Sequence, residues 1–488
     1  MEVKPSIFLG GGFLKLVEES TIFIDKSLFI KEVYEDKSEV ILITMPRRFG
    51  KSTNLEMLRM FLSIEEDNVE AKIINRRILT KKIKNVDKLE NAHLDISSVV
   101  TLIRDSKQFG KFKKIEILSL QGQYPVIFMD LKKTTIGKEY ISLLHRIKLF
   151  YPTAIKKLSD LLKEYHSKRV WLLIDEYDAA ANKAHLKFSS DEAQSVADLF
   201  RSILEPALKN NQNLEKGVTT GVQYILKSGI LLGLNNLIKH NITSCKYSKY
   251  YGLSEVELRI LLNHFKLEKD KSYIKSWYNG YLFNIGTNVN PCFIDKYNVW
   301  SVVNYISNPD KFVSYWDNNN LSEFLNSNIL NNHAIKDIIE DLVRNRNLLI
   351  SNLTTDFSVN NFLILKSITS NLNKIEVTNE GINLLFSYLF ITGYLTITRS
   401  VNEYCIPNNE IKNEFQKVLL LYYENIFNVP PSFFDDMTKI LFDVFEADES
   451  SISSIFTKSF GPKLSLLVGH LKLYSKFDKD VSVGLYGK

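Results

Sequence analysis

The chain has 488 residues, of which 45% are hydrophobic and 24% charged, with a formal net charge of +6. That length exceeds the roughly 250–300 residues at which one core stops growing, so two to four domains are expected, and the balance is that of a globular protein. The three cysteines, Cys245, Cys292 and Cys405, lie far apart without a CxxC pair, which argues against a disulfide framework or a zinc site. No apolar run reaches the roughly 18 residues of a membrane span, and the start Met1-Glu2-Val3-Lys4-Pro5 lacks a secretory pattern, so a cytoplasmic protein with no membrane partner is expected. The basic residues are dispersed; contact with nucleic acid is allowed by the charge but not argued by it.

In chain order, 39–45 reads as a buried strand ended by Pro46, and 52–63 as a helix with apolar Leu55, Leu58, Met60, Phe61 and Leu62. Residues 64–120 are mixed, basic and mainly helical in pattern; 125–131 is a second apolar strand, 155–166 a helix, and 170–174 a third strand. Residues 189–210 form an amphipathic helix with Ala193, Val196, Leu199, Phe200, Ile203 and Leu204 on one face. A fourth strand is predicted at 217–222 and a weaker fifth at 240–244. Continuous apolar strands alternating with helices predict an α/β fold, a three-layer α/β/α core with a parallel sheet, and the Gly50-Lys51-Ser52 loop between strand 39–45 and helix 52–63 makes it a P-loop NTPase core. The predicted domains are this core over 1–265, an aromatic-rich extension over 266–310, a mainly helical region over 311–430 with Asn-rich turns, and a diverged or remnant tail over 431–488 with helical stretches near 433–447 and 461–475.

The chemistry concentrates in Met45-Pro46-Arg47-Arg48-Phe49-Gly50-Lys51-Ser52-Thr53, a loop between a strand and a helix. Successive amides and a helix N-terminus present positive dipoles to a triphosphate. Gly50 lets the backbone approach, Lys51 reaches the β- and γ-phosphates, and Ser52 holds Mg²⁺. The usual first glycine of such a loop is replaced by Met45, so the entry turn differs while the loop length is kept. The second signal is Val170–Ile174 running into Asp175-Glu176: Asp175 at the strand tip for the metal, Glu176 as general base for water. Asp130, ending 126–129, competes for the metal role but lacks a following acid. Thr220 either senses the γ-phosphate as a third catalytic group, as ASCE-type ATPases place a polar residue there, or packs as a strand threonine.

These residues carry a resemblance to the predicted AAA-ATPase-like family, whose members are often fused to a PD-(D/E)XK nuclease-like domain. It extends over about residues 5–425: Phe23-Ile24-Asp25-Lys26-Ser27, then Pro46–Ser52, Asp175-Glu176-Tyr177-Asp178, Thr220-Gly221-Val222, Gly233–Leu237, Trp277-Tyr278-Asn279-Gly280-Tyr281, Gly393-Tyr394-Leu395-Thr396 and Ile406-Pro407-Asn408 are similar to its successive words. The missing first glycine is then a family trait and Met45 a local departure. A basic residue expected near Tyr224 has Lys227 as its stand-in. The resemblance implies a role for Asp25 and Lys26 near the nucleotide, against which stands a surface ion pair or a helix start. Arg47 and Arg48 contact phosphate or a partner, or are solvated. The Trp277–Tyr281 cluster is packing or a base-stacking platform. Gly10-Gly11-Gly12 reads as a loop.

A nuclease of that type needs an Asp at a strand end and a Glu-x-Lys beyond it. Glu410-Ile411-Lys412 spells the triplet without an Asp between 396 and 409, so no nuclease activity is expected. The combined expectation is an ATP-binding, Mg²⁺-dependent ATPase driving a conformational or assembly change on an unidentified target, with nucleic acid and a homo-oligomer both allowed. The alternative is a catalytically silent nucleotide-binding interaction module.

Overall fold

The computed structural model describes residues 5–64, 120–131, 153–225, 233–286, 292–309, 312–316, 320–370 and 377–430, with parts of 433–440 and residue 463, apart from a few positions within these spans. The expectations for 65–119, for the turns at 317–319 and 371–373, for Lys227, and for most of 433–447 and 461–475 lie outside the described residues.

The chain falls into two compact units, one of Met1–Trp316 with Asn345–Ile411, the other of Asp317–Arg344 with Lys412–Lys488. The first opens with α1 (Gly12–Glu19), α2 (Leu28–Glu35), β1 (Val40–Thr44) and α3 (Lys51–Leu62). It continues through β2 (Val126–Asp130), α4 (Ala154–His166), β3 (Val170–Asp175), α5 (Ser190–Leu208), β4 (Leu214–Gly221), β5 (Tyr224–Ile225) and β6 (Leu237–His240). Five of these strands make one all-parallel sheet in the order β2-β3-β4-β1-β6. Helices flank it: α3 packs on β2, β3 and β4, while α5 packs on α4 and β4. The fold is the expected P-loop-type α/β core.

The central strands form because they are unbroken apolar runs. Val40–Ile43 and Val170–Ile174 are fully buried, and each such side chain stabilises by about 1.5–3 kcal/mol. Helix α5 starts with a capping box: Ser189 Oγ accepts the Glu192 amide while the Glu192 carboxylate accepts the Ser189 amide at 3.0 Å. Its face is buried at Ala193, Val196, Leu199, Phe200 and Leu204, with Ile203 only half-buried. In α3, Met57 is buried instead of the expected Met60 and Phe61, which are half-buried.

The fifth strand corrects the sequence reading. It spans Leu237–His240, not 240–244, and pairs with β1 from Val40↔Leu237 to Ile43↔His240. As a sheet edge with no fully buried residue, it has no apolar run to announce it. The fourth strand begins earlier than expected, at Leu214, and includes buried Lys216. That ammonium donates to the carbonyls of Val33 (2.8 Å), Tyr34 (3.1 Å) and Asp36 (2.5 Å), satisfying the C-terminal end of α2.

The same unit continues with helices Glu255–Phe265 and Lys271–Tyr278, the hairpin Tyr281–Asn284/Phe293–Lys296, and helices Val299–Ser307, Val359–Ser370 and Asn379–Thr392. A short three-stranded sheet joins Leu348–Leu349, Thr396–Ile397 and Glu403–Cys405, and β5 pairs in parallel with Asp356–Phe357. In the second unit the helix His333–Val343 presents Glu340, which accepts a hydrogen bond from the Tyr423 hydroxyl. Among the described residues no helix is long and apolar enough to cross a membrane.

Candidate nucleotide site

The sheet register builds the site. β4 lies between β1 and β3, with Ile43 opposite Thr220, Thr44 opposite Gly221, and Ile174 opposite Thr219. The carboxyl ends of all three strands therefore coincide, the position where open α/β sheets take ligands. The loop 45–50 leaves β1 there and turns into α3.

Gly50 caps α3 in the left-handed region, with φ of 88°, and no side chain caps the helix. A Cβ at Gly50 would meet nothing within 4 Å, so the loop mouth is open above it. The first-turn amides of α3 are thus directed at that opening, which is the environment an anion requires. Arg48 also has positive φ, 65°. Two left-handed residues close together let the loop curl without the missing first glycine; Met45 instead is buried and extends the sheet, its amide donating to Gly221 O at 3.1 Å.

Lys51 is buried, and its ammonium donates to the carbonyls of Met45 (3.0 Å) and Pro46 (2.8 Å). Burial pulls it down to about 8; the carboxylates of Glu176, Asp178 and Asp175 act the other way, and Arg47 adds to the depression. Lys51, Asp175 and Glu176 therefore share one electrostatic neighbourhood. Asp175 Oδ1 accepts the Thr220 hydroxyl at 2.5 Å and the Glu176 amide at 3.0 Å. Thr220, read from the sequence as a γ-phosphate sensor or a packing strand threonine, is buried with its hydroxyl on the Asp175 carboxylate. Glu176 has φ of 48°, a strained conformation for a non-glycine residue. Ser52 is exposed and Thr53 half-buried on the first turn. Asp130, paired with Asp175, is exposed at the tip of the edge strand, one strand further from the loop.

The rest of the loop faces inward. Phe49 is buried, edge-on to Tyr281 (4.9 Å) and Trp316 (6.4 Å) and stacked with Phe283 (5.3 Å). Its carbonyl accepts the Gly252 amide at 3.2 Å. The Arg48 guanidinium lies over the Trp300 ring at 5.4 Å. Of the residues expected to touch nucleotide, Phe49 can offer only backbone, and Pro46 packs against Gly393, where a Cβ would come within 2.9 Å of it.

Three sequence words converge on this underside. Tyr281 donates to Gly393 O at 3.0 Å, Leu282 N donates to Thr396 Oγ1 at 3.1 Å, and Asn408 Nδ2 donates to Asn279 O at 2.7 Å. Trp277 stacks obliquely with Phe312 at 6.2 Å, within a packed cluster. The aromatic segment is packing and braces the loop. Asp25 Oδ1 accepts the Ser27 amide at 2.8 Å at the start of α2, and Lys26 pairs with Glu257 at 2.5 Å. Gly12 opens α1, and the Phe13 amide donates to the Glu56 carboxylate at 2.6 Å. That anion at a helix start comes from the protein itself.

Glu410 sits fully buried on the first turn of the helix Asn409–Phe427. Its carboxylate accepts the Ser301 hydroxyl at 2.9 and 2.8 Å and the Tyr315 amide at 2.7 Å. Burial raises it to about 7, against hydrogen bonds from Tyr315, Ser301 and Trp316 and the charge of Arg48. The folded state thus holds a proton that the unfolded chain has released above about 4.5, and this contribution to stability is lost as pH rises through about 7. The melting-temperature advantage of the wild type over Glu410→Gln is expected to shrink between pH 5 and 7. An advantage that grew over that range would refute the assignment.

Asp178 closes the Asp175–Asp178 motif, and the sequence assigns it no role of its own. It is buried, and burial raises its pKa although the Gln223 amide, Lys51 and the Val222 amide favour the charged form. Its place in the motif is the only local signal; the main-chain amides that it accepts, those of Val222 and Gln223, lie more than 40 residues away.

A curated relative, an uncharacterized protein in the vnfD 5′ region of Azotobacter chroococcum mcd 1, is 23% identical over 273 residues. The match covers 55% of this chain and 47% of the relative, so the chain spans about half the length of the curated relative it matches. The solved structure of the Aeropyrum pernix ORC2 protein, in ADPNP-ADP complexes, aligns over 87% of this chain and 96% of its own at 10% identity, with a TM-score of 0.31 that supports no inference. Residues 11–231 match the family model described as Predicted AAA-ATPase. The matched segment holds β1 to β4 of the five-stranded parallel sheet, the glycine-capped loop at the end of β1 and the paired acids at the end of β3, and over it the chain is similar to the predicted AAA-ATPase family.

Proposed function

We propose that the chain binds ATP with Mg²⁺ at the ends of β1, β3 and β4 and hydrolyses it. The observation that carries this reading is the buried Lys51 ammonium, held at the loop mouth within the field of Glu176, Asp178 and Asp175. The uncapped first turn of α3 fits a polyphosphate, and Ser52 with Asp175 are the oxygen donors that would hold the metal. When bound, that metal would neutralise charge on the phosphoryl oxygens. Lys51 and the amides of residues 50–53 hold the phosphates. Thr220 fixes one Asp175 oxygen by its hydrogen bond. Glu176 accepts the proton of the attacking water. Arg47 stands beside the same charges and is the side chain of the arginine pair suited to phosphate, since Arg48 is laid over Trp300.

The test measures ATP binding and phosphate release on the same protein. Wild type should release phosphate with Mg²⁺ and lose that activity in EDTA. Glu176→Gln should keep its ATP affinity within a few-fold while turnover falls roughly 10²–10⁴-fold, the range of general-base removal. ATP binding without phosphate release in the wild type would select an interaction module instead. Loss of affinity in Glu176→Gln equal to its loss of turnover would remove Glu176 from the base role.

A further inference from the structure

The segment after Asp175 is tied to the end of β4 by a set of hydrogen bonds that the reaction as described does not use. Asp178 Oδ2 accepts the amides of Val222 (3.0 Å) and Gln223 (2.9 Å) and the side-chain amide of Asn182 (3.0 Å). Asn182 Oδ1 in turn accepts the Gln223 side-chain amide. The Tyr177 hydroxyl donates to Gln223 O at 2.7 Å, and the Tyr177 amide to Thr220 O at 3.1 Å. Gly221 completes the fit: a Cβ there would lie 2.6 Å from Asp178 Oδ1 and 2.7 Å from the Tyr177 ring.

Glu176 stands inside this clamp. Its φ of 48° is a conformation that glutamate adopts only when its surroundings impose it. On one side Asp175 is held by Thr220 of β4; on the other Tyr177 and Asp178 are held by Thr220, Val222 and Gln223. One strand therefore fixes the backbone both before and after the glutamate. Because β4 also adjoins β1, the direction of Glu176 is referred to the strand that carries the phosphate loop. A buried carboxylate that only stabilised a turn would have no reason to link it to that strand.

We propose that Asp178 is a positioning residue for hydrolysis, holding the strained turn that aims Glu176 at the attacking water. The inference rests on the reading of Glu176 as general base. Asp178→Asn keeps the size of the side chain but loses the charge that accepts three N–H donors.

The experiment compares wild type, Asp178→Asn, Glu176→Gln and the double variant by ATP affinity, single-turnover hydrolysis and thermal melting. At saturating ATP, Asp178→Asn should turn over at least tenfold more slowly than wild type, apart from any affinity it loses through the weaker field at Lys51. In the Glu176→Gln background the same change should slow turnover no further, because a group that acts through Glu176 has nothing left to aim. A turnover within twofold of wild type overturns the proposal. So does a double variant slowed by the full product of the single effects, which would mean an effect on the fold or the phosphate loop. If Asp178→Asn fails to fold, Asn182→Ala and Gln223→Ala each remove part of the clamp and should each lower turnover more modestly at unchanged affinity; full activity in both overturns it. A wild type that binds ATP but releases no phosphate overturns the catalytic reading itself, and the clamp's role with it.

Discussion

Lys51→Ala is expected to weaken ATP binding by roughly two to three orders of magnitude, the scale of losing one charge-assisted donor in a water-excluded site. Among the described lysines the side chain is unusual in being buried within the field of three carboxylates, and two main-chain carbonyls, Met45 O and Pro46 O, hold its ammonium in place. Such a group retains its charge at neutral pH because those acids offset desolvation. Lys51→Arg should not restore binding: a guanidinium is larger and planar, and the space between the two carbonyls is sized for an ammonium. Titration calorimetry or a fluorescent ATP analogue would measure the change, with thermal melting as a control for folding. Affinity within threefold of wild type would remove Lys51 from the phosphate site and, with it, the central support for nucleotide binding.

Gly280→Ala is expected to cost about 3–5 kcal/mol of stability, combining a steric clash in a packed site with a left-handed backbone. Gly280 has φ of 93°, and a Cβ would stand 1.8 Å from the Pro407 carbonyl oxygen. That neighbour is backbone, held nearby by the Asn408–Asn279 hydrogen bond, so it cannot rotate aside. Gly50→Ala is the control. Its φ of 88° is similar, but a Cβ there meets nothing within 4 Å, so only the conformational cost of about 1–2 kcal/mol remains. Thermal or denaturant unfolding should therefore rank Gly280→Ala well below Gly50→Ala. Equal melting temperatures would mean that the contact between the two segments yields easily. The prediction bears on the proposed function because Tyr281 packs edge-on to Phe49 of the loop at residues 45–53. A loosened brace should also broaden the loop's conformations and weaken nucleotide binding.

Much of the site could be read locally. The loop at residues 45–53 and the acid pair each sit at the end of a short apolar run, and a strand buried on both faces writes itself as consecutive Val, Ile and Leu. The same logic failed at Leu237–His240: an edge strand with no fully buried residue needs no apolar run, so its position was mistaken by three residues. Motif words told which residues mattered more readily than what they did. The Trp277–Tyr281 and Gly393–Thr396 words are separated by more than a hundred residues from one another and from the loop they brace. No periodicity links them, and only packing reveals that Tyr281 meets both Phe49 of the loop and the carbonyl of Gly393.

By itself, then, the sequence determined the parallel α/β core, the loop at residues 45–53 and the carboxylates of Asp175 and Glu176, because each is a property of a few consecutive side chains. Tertiary structure alone decided that β4 runs between β1 and β3, that Thr220 bonds to Asp175, and that Asp178 fastens the glutamate's turn to a neighbouring strand. It also decided that Glu410 is a buried acid held by Ser301 and Tyr315. These are pairings between segments distant along the chain, and hydrogen bonding and burial select them only once the sheet has brought the segments together.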